Sequence, residues 1–273
     1  MNLIKSSLDG LNSLVGGYYA KNRMSIFSKP MVGKTLFLLQ EAFWIAKTTG
    51  KKVLFIDTEV DKELFINIWA DKFEKRFSVK RDRIIIKELR DIYLLLDFHG
   101  VKIKVNISKR KGKLTADKVD EVKIEDSEIF KLIGKRRVGT VIYDSVTDPF
   151  KKEFGAGTAN LPARSSVLGF LYNHIDKLID KKGVTVITSH HLSKNPTNPS
   201  SEETMTGGDS IYYSSKIILQ LKGFRSVNLK DYRMLILVRY PDRPKFEDVT
   251  YLKYGDEGVV DVSKEEVDEL RRS

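Results

Sequence analysis

The chain has 273 residues, 41% apolar and 31% charged, enough for one large or two small domains with a core that needs no covalent staples. The absence of cysteine excludes a disulfide framework and a thiolate metal site, and the histidines His99, His174, His190 and His191 would need carboxylate help to hold zinc. No apolar run is long enough to cross a bilayer, and the N-terminus lacks a hydrophobic stretch with a small-residue cleavage site, so a cytoplasmic protein without a membrane partner is expected.

In chain order, a β-branched run at 24–27 leads through S-K-P-M-V-G-K-T into a helix predicted over 34–48, where Leu36, Leu39, Phe43 and Ala46 share one face and Gly50 marks the stop. A strand at 53–57, a helix at 61–75 and a strand at 83–86 follow. Residues 100–126 alternate as V-K-I-K-V-N-I-S, turn at K-R-K-G and return, which predicts a β-hairpin with Lys109, Arg110, Lys111 and Lys113 at its tip. Beyond it come a strand at 141–144, a helix at 161–181 with Pro162 in its first turn, and a strand at 184–188. Residues 192–210 are dense in Ser, Asn, Pro, Thr and Gly and read as a long loop of functional character. Strands at 216–221 and 234–238 and a helix at 264–272, opened by the capping-box pattern Ser263-Lys264-Glu265-Glu266, complete the chain. The alternation of strands and helices predicts a mostly parallel sheet with helices on both faces, in a single domain spanning 1–273.

The most specific motif is Ser28-Lys29-Pro30-Met31-Val32-Gly33-Lys34-Thr35, which matches G-x-x-x-x-G-K-[ST] at every fixed position but the first. In such a loop the backbone N–H groups converge on phosphates, the lysine reaches the β/γ oxygens and the threonine hydroxyl joins a Mg²⁺ shell. Ser28 stands where glycine often takes an unusual φ, so weakened nucleotide affinity or a reshaped loop entrance is expected there. Hydrolysis needs further carboxylates. Asp144 ends the strand V-I-Y-D as a candidate metal partner, and Glu59 follows V-L-F-I-D-T as a candidate for the group facing the γ-phosphate.

With these residues in this order the chain resembles the RecA/RadA superfamily over nearly its whole length. Leu8, Asp9, Gly16 and Gly17 fit the stretch ahead of the loop, F-I-D-T-E the strand with the catalytic glutamate, V-I-Y-D-S-V-T the Walker B segment, and V-T-V-I-T-S-H-H the strand ending at a nucleotide-sensing position. The resemblance implies an α/β fold: a RecA-like P-loop NTPase core, mostly parallel, with the hairpin as an insertion and an antiparallel C-terminal extension. It implies an ATPase using ATP and Mg, with Glu59, Lys34 and His190 in catalysis, the loop 28–35 on the nucleotide, and Thr35 and Asp144 on the metal.

The nearest types are short archaeal RadA paralogues (RadB/RadC-like) and KaiC-like ATPases. Only seven residues precede Leu8-Asp9, and Phe43-x-x-Ala46 lies on the helix after the loop, so a core role and a non-filament-forming accessory of recombination or repair are expected. A nucleotide-gated scaffold with negligible turnover and a KaiC-like signalling ATPase are the alternatives.

The net charge of +11 suits a polyanionic partner, and glutamine at only 40 and 220 amid many charges suits a hot environment. Single-stranded DNA is expected to bind through G-A-G-T-A-N-L-P-A-R and the 192–206 loop, using Lys151, Lys152, Arg164 and Lys194, with Ala156 replacing the family's arginine. Lys151 and Lys152 are expected to lie clear of the phosphate loop. A RadA-type recombinase partner and a homo-oligomer are further expectations, with Arg239 or Arg243 as the residue a neighbouring subunit would offer to the γ-phosphate.

Overall fold

The computed structural model describes residues 3–59, 63–107, 114–155, 160–193, 204–205, 215–241 and 248–272. In chain order the elements are β1 (Leu3–Ile4), α1 (Asp9–Val15), β2 (Tyr18–Tyr19), β3 (Arg23–Ser28), α2 (Lys34–Thr49), β4 (Lys52–Asp57), α3 (Glu63–Phe77), β5 (Ile84–Glu88) and α4 (Ile92–Phe98). They continue with β6 (Val101–Ile107), β7 (Leu114–Glu121), α5 (Glu128–Arg136), β8 (Val138–Asp144), α6 (Asp148–Phe154), α7 (Leu161–Lys182), β9 (Thr185–Ser193) and β10 (Thr204–Met205). The C-terminal part holds β11 (Ile217–Gly223), β12 (Tyr232–Arg239), β13 (Val249–Gly255), β14 (Gly258–Val262) and a last helix, α8 (Lys264–Arg272).

The main sheet runs β14-β13-β12-β11-β3-β9-β8-β4-β5. From β11 to β5 all neighbours are parallel, and β12, β13 and β14 add an antiparallel meander on one side. Parallel strands covered on both faces favour continuous apolar stretches, which is what V-L-F-I in β4 and V-I-Y in β8 supply; β3, with Arg23, Ser25 and Ser28 among its residues, is buried throughout as well. One face carries α2 and α3, with Ile26, Phe55, Ile142 and Ile187 in its core. The other carries α4 to α7, with Phe27, Leu54, Val141, Tyr143 and Val186.

Helix α2 departs from the single apolar face expected of it. Leu36, Leu39, Phe43 and Ala46 are buried, and so are Phe37, Leu38, Gln40, Glu41, Ala42 and Ile45. The helix lies between the sheet and a second cover. Gln40 exchanges two hydrogen bonds with the backbone of Val259 (2.8 and 2.7 Å), and the Ser7 N–H donates to Glu41 (3.2 Å). Phe43 and Ala46 belong to this core, in keeping with their expected role.

The hairpin β6–β7 forms in antiparallel register, Val101 opposite Glu121 and Ile107 opposite Leu114. It lies along α7 rather than standing free: Lys177 donates to Glu121 (2.7 Å), the His174 ring meets the same carboxylate (2.6 Å), and the Leu114 N–H donates to Asn160 Oδ1 (3.1 Å). Its basic tip, Lys109 to Lys113, lies outside the described residues. Most of the 192–210 loop does too, although β9 runs on to Ser193 and pairs with Thr204–Met205. No described helix is long and apolar enough to cross a membrane.

Candidate nucleotide-binding site

The C-terminal ends of β3, β4, β8 and β9 lie side by side, where open α/β sheets bind ligands. Leaving β3 at Ser28, the chain makes a tight loop and enters α2 at Lys34, so that the helix N-terminus faces the space above the strands. Gly33 has φ +105°, a conformation that favours glycine, and Met31 takes φ +61° with its side chain in solvent. Ser28 is the last residue of β3 and is not among the positive-φ positions, so the departure at the first motif position causes no backbone strain. Its hydroxyl accepts a hydrogen bond from Lys34 Nζ (3.0 Å) and donates to the Lys29 carbonyl (2.7 Å).

Thr35, at the start of α2, donates from Oγ1 to Asp144 Oδ2 (2.6 Å), and Ser189 on β9 donates to the other oxygen, Oδ1 (2.6 Å). Asp144 is fully buried at the end of β8. Asp57, opposite it in register on β4, is buried as well and accepts the Glu59 N–H (3.1 Å). Thr58 ties the two strand ends together, since its N–H donates to the Asp144 carbonyl (3.0 Å) and its hydroxyl accepts the Ser145 N–H (2.9 Å). Glu59, just beyond, carries a side chain that is 21% exposed, with His191 Nε2 lying 3.2 Å from its Oε1.

The histidine beside Glu59 is His191, while His190, expected at the nucleotide-sensing position, lies on the other face of β9. Side chains alternate along a strand, and Ile187, Ser189 and His191 share the α2 face. His190 faces α7, fully buried, with Nε2 at 2.9 Å from Thr188 Oγ1 and 3.2 Å from the Tyr172 hydroxyl. Burial, with Arg23, His191 and Lys34 adding repulsion, pushes its ring down to about 3, so it stays neutral.

Lys151 and Lys152 fall in the last turn of α6, and Arg164 falls in the first turn of α7. Lys152 pairs with Asp148 (2.5 Å). Burial holds the half-buried Lys151 ammonium below the ordinary lysine value. Asp148 opposes that shift, Arg164 and Lys34 reinforce it, and Glu59 opposes it. Lys151 therefore sits in the electrostatic field of the phosphate loop, not clear of it. Lys194 and Arg243 lie outside the described residues. Arg239 pairs in register with Ile218, which is level with Ser25, so it stands toward the opposite end of the sheet from its own phosphate loop. There it lines a cavity of about 290 Å³ with Tyr18, Tyr19, Lys216 and Tyr240.

A G-x-x-x-x-G-K-T-type loop between a parallel strand and a helix, with a buried strand-end aspartate on its threonine, defines a P-loop nucleotide-binding domain. The AAA domain family matches residues 1–197, which contain every element of this site, and the chain belongs to that family of P-loop ATPase domains. It is also similar to the DNA repair and recombination protein RadA of Ignicoccus hospitalis, 28% identical over 123 residues, 45% of this chain. The match spans 36% of that relative's length.

Proposed function

We propose that the protein is a Mg-dependent ATPase acting as a non-filament-forming accessory in DNA recombination or repair, and that it binds single-stranded DNA. The observation that carries the ATPase part is the convergence of Lys34, Thr35, Asp144 and Glu59 on one sheet end, with His191 on Glu59. Lys34 sits where its ammonium can move from Ser28 onto β/γ-phosphate oxygens, and the N–H groups opening α2 face the same charge. Thr35 Oγ1 and Asp144 Oδ2 are hard oxygen donors 2.6 Å apart, a set that suits Mg²⁺ with water completing its shell. When bound there, the ion would neutralise phosphate charge.

Glu59 is the carboxylate that would orient a water and take its proton. His191 Nε2, when it carries the proton, donates to Glu59 and fixes the orientation of that carboxylate. Because β9 continues directly from His191 to Ser193, a strand or partner acting on the following segment could shift Glu59 through one side chain. The DNA part rests on the net charge of +11, on Lys151, Lys152 and Arg164 at the α6–α7 edge, and on the similarity to RadA. Backbone contacts of this kind carry no sequence preference. A RadA-type recombinase and further copies of this chain are the protein partners such an accessory would meet.

Steady-state ATP turnover with Mg²⁺, with and without single-stranded DNA, tests the proposal. Turnover is expected in the wild-type protein and loss of it in Glu59→Gln, with ATP still bound. Equal rates in both would overturn the catalytic reading and leave a nucleotide-gated scaffold. Labelled DNA that fails to bind at low salt would remove the DNA role.

A further inference from the structure

Among the described residues beyond 197, outside the family match, two side chains reach the phosphate loop. Arg233 on β12 donates from Nε to the Val32 carbonyl (2.8 Å), inside the loop. Its Nη1 is held by the carbonyls of Lys230 (2.6 Å) and Tyr232 (2.7 Å), so the fork is fixed at its base. The guanidinium lies 5.1 Å over the ring of Tyr254 from β13. That ring covers Gly33 so closely that a Cβ added there would come within 2.4 Å of Cε1.

We propose that Arg233 and Tyr254 form a clasp by which the C-terminal meander sets the shape of the phosphate loop and hence its affinity for nucleotide. The physical link is the planar trans peptide between Val32 and Gly33, whose C=O and N–H point in opposite directions. An arginine that grips the Val32 carbonyl from the meander side turns the Gly33 N–H away from the meander, toward the mouth of the loop. Tyr254 closes the other route of escape, because the left-handed Gly33 cannot swing toward a ring already in contact with it. Arg233 is a positioning residue: its hydrogen bonds go to backbone carbonyls, and it acts on the phosphates only through the loop.

This inference rests on the nucleotide-binding reading of the loop, and two measurements separate them. Calorimetric titration of Arg233→Lys and Arg233→Ala with Mg·ATP and Mg·ADP should show at least tenfold weaker binding of both nucleotides. Hydrogen exchange without nucleotide should show the amides of 29–35 exchanging at least fivefold faster, with those of β8 unchanged. Lys253→Ala, an exposed neighbour of Tyr254, should match wild type in both. Apo melting controls for folding, and Arg233→Lys carries the test if Arg233→Ala does not fold. Affinity within twofold of wild type, unchanged loop exchange, or a loss that only tracks a lowered melting temperature would overturn the clasp. A wild-type protein that binds no nucleotide would refute the site instead, and loop exchange would still decide the clasp.

Discussion

Lys34 donates to the Ser28 hydroxyl at 3.0 Å, a neutral acceptor that its ammonium can exchange for a phosphate oxygen. Its removal takes away a charge-assisted contact of about 1.5–3 kcal/mol. Lys34→Ala is therefore expected to weaken ATP binding tenfold to a hundredfold by calorimetry, with the fold retained. Gly33→Ala should be at least as damaging, because φ is +105° and the new methyl would meet Tyr254 at 2.4 Å. Its expected signature is lost nucleotide affinity together with a lowered melting temperature. At Glu59 the structure separates two neighbouring histidines. His191→Ala should lower turnover about tenfold while leaving ATP affinity within twofold, since it removes only the group that orients the carboxylate. An unchanged rate in that variant would make the 3.2 Å contact incidental to turnover.

At the scale of elements, the site depends on the parity of β9 and on how short helices are placed around it. Helices α4, α5 and α6 have seven to nine residues, too few to display a helical period, yet the caps of two of them are visible in the chain. Asp91 accepts the N–H groups of Tyr93 and Leu94, and Ser127 accepts that of Phe130. Placing α6 directly after Asp144 brings Lys151 into the field of Lys34 and Glu59, so Lys151→Glu should alter ATP affinity as well as any DNA affinity. The hairpin is fastened at Glu121. Its hydrogen bond from Lys118, with Lys177 and His174, holds the carboxyl down at about 2. Glu121→Ala leaves the fully buried His174 without that partner and should cost about 1–3 kcal/mol in denaturant unfolding. Nucleotide affinity should not change.

For the molecule as a whole, the core encloses ionisable groups that make stability depend on pH. His99 and His190 are fully buried, chiefly desolvated, and lowered from 6.5 to about 3. Unfolded, they take up protons as pH falls through 6.5, whereas folded they stay neutral until about 3. Stability is thus fully present above pH 6.5 and falls below it, by about 1.4 kcal/mol per pH unit for each group. Glu121, lowered from 4.5 to about 2, adds a further loss between those values. Urea midpoints measured from pH 7.5 to 5 should hold level down to about 6.5 and fall below it, and His190→Asn should flatten that slope. A flat profile in the wild-type protein would show that neither ring is held neutral.

The local chemistry of the chain determined much of this by itself. Continuous apolar runs such as V-I-Y-D marked buried parallel strands, glycines at 50 and 183 marked helix ends, and the G-K-T at 33–35 marked the phosphate loop, because each is set by neighbours in sequence. Ser263 likewise caps the last helix by accepting the Glu266 N–H, as the spacing predicted. Other features depended on partners far along the chain. The burial of α2 on nearly all sides needs Ser7 and Val259, and the contact of Arg233 with Val32 joins residues 201 positions apart. The choice between His190 and His191 lies between the two. The alternation that separates them was legible in V-T-V-I-T-S-H-H, but the face that carries the site was decided only when β9 paired between β3 and β8, placing Ser189 beside Asp144 and His191 beside Glu59.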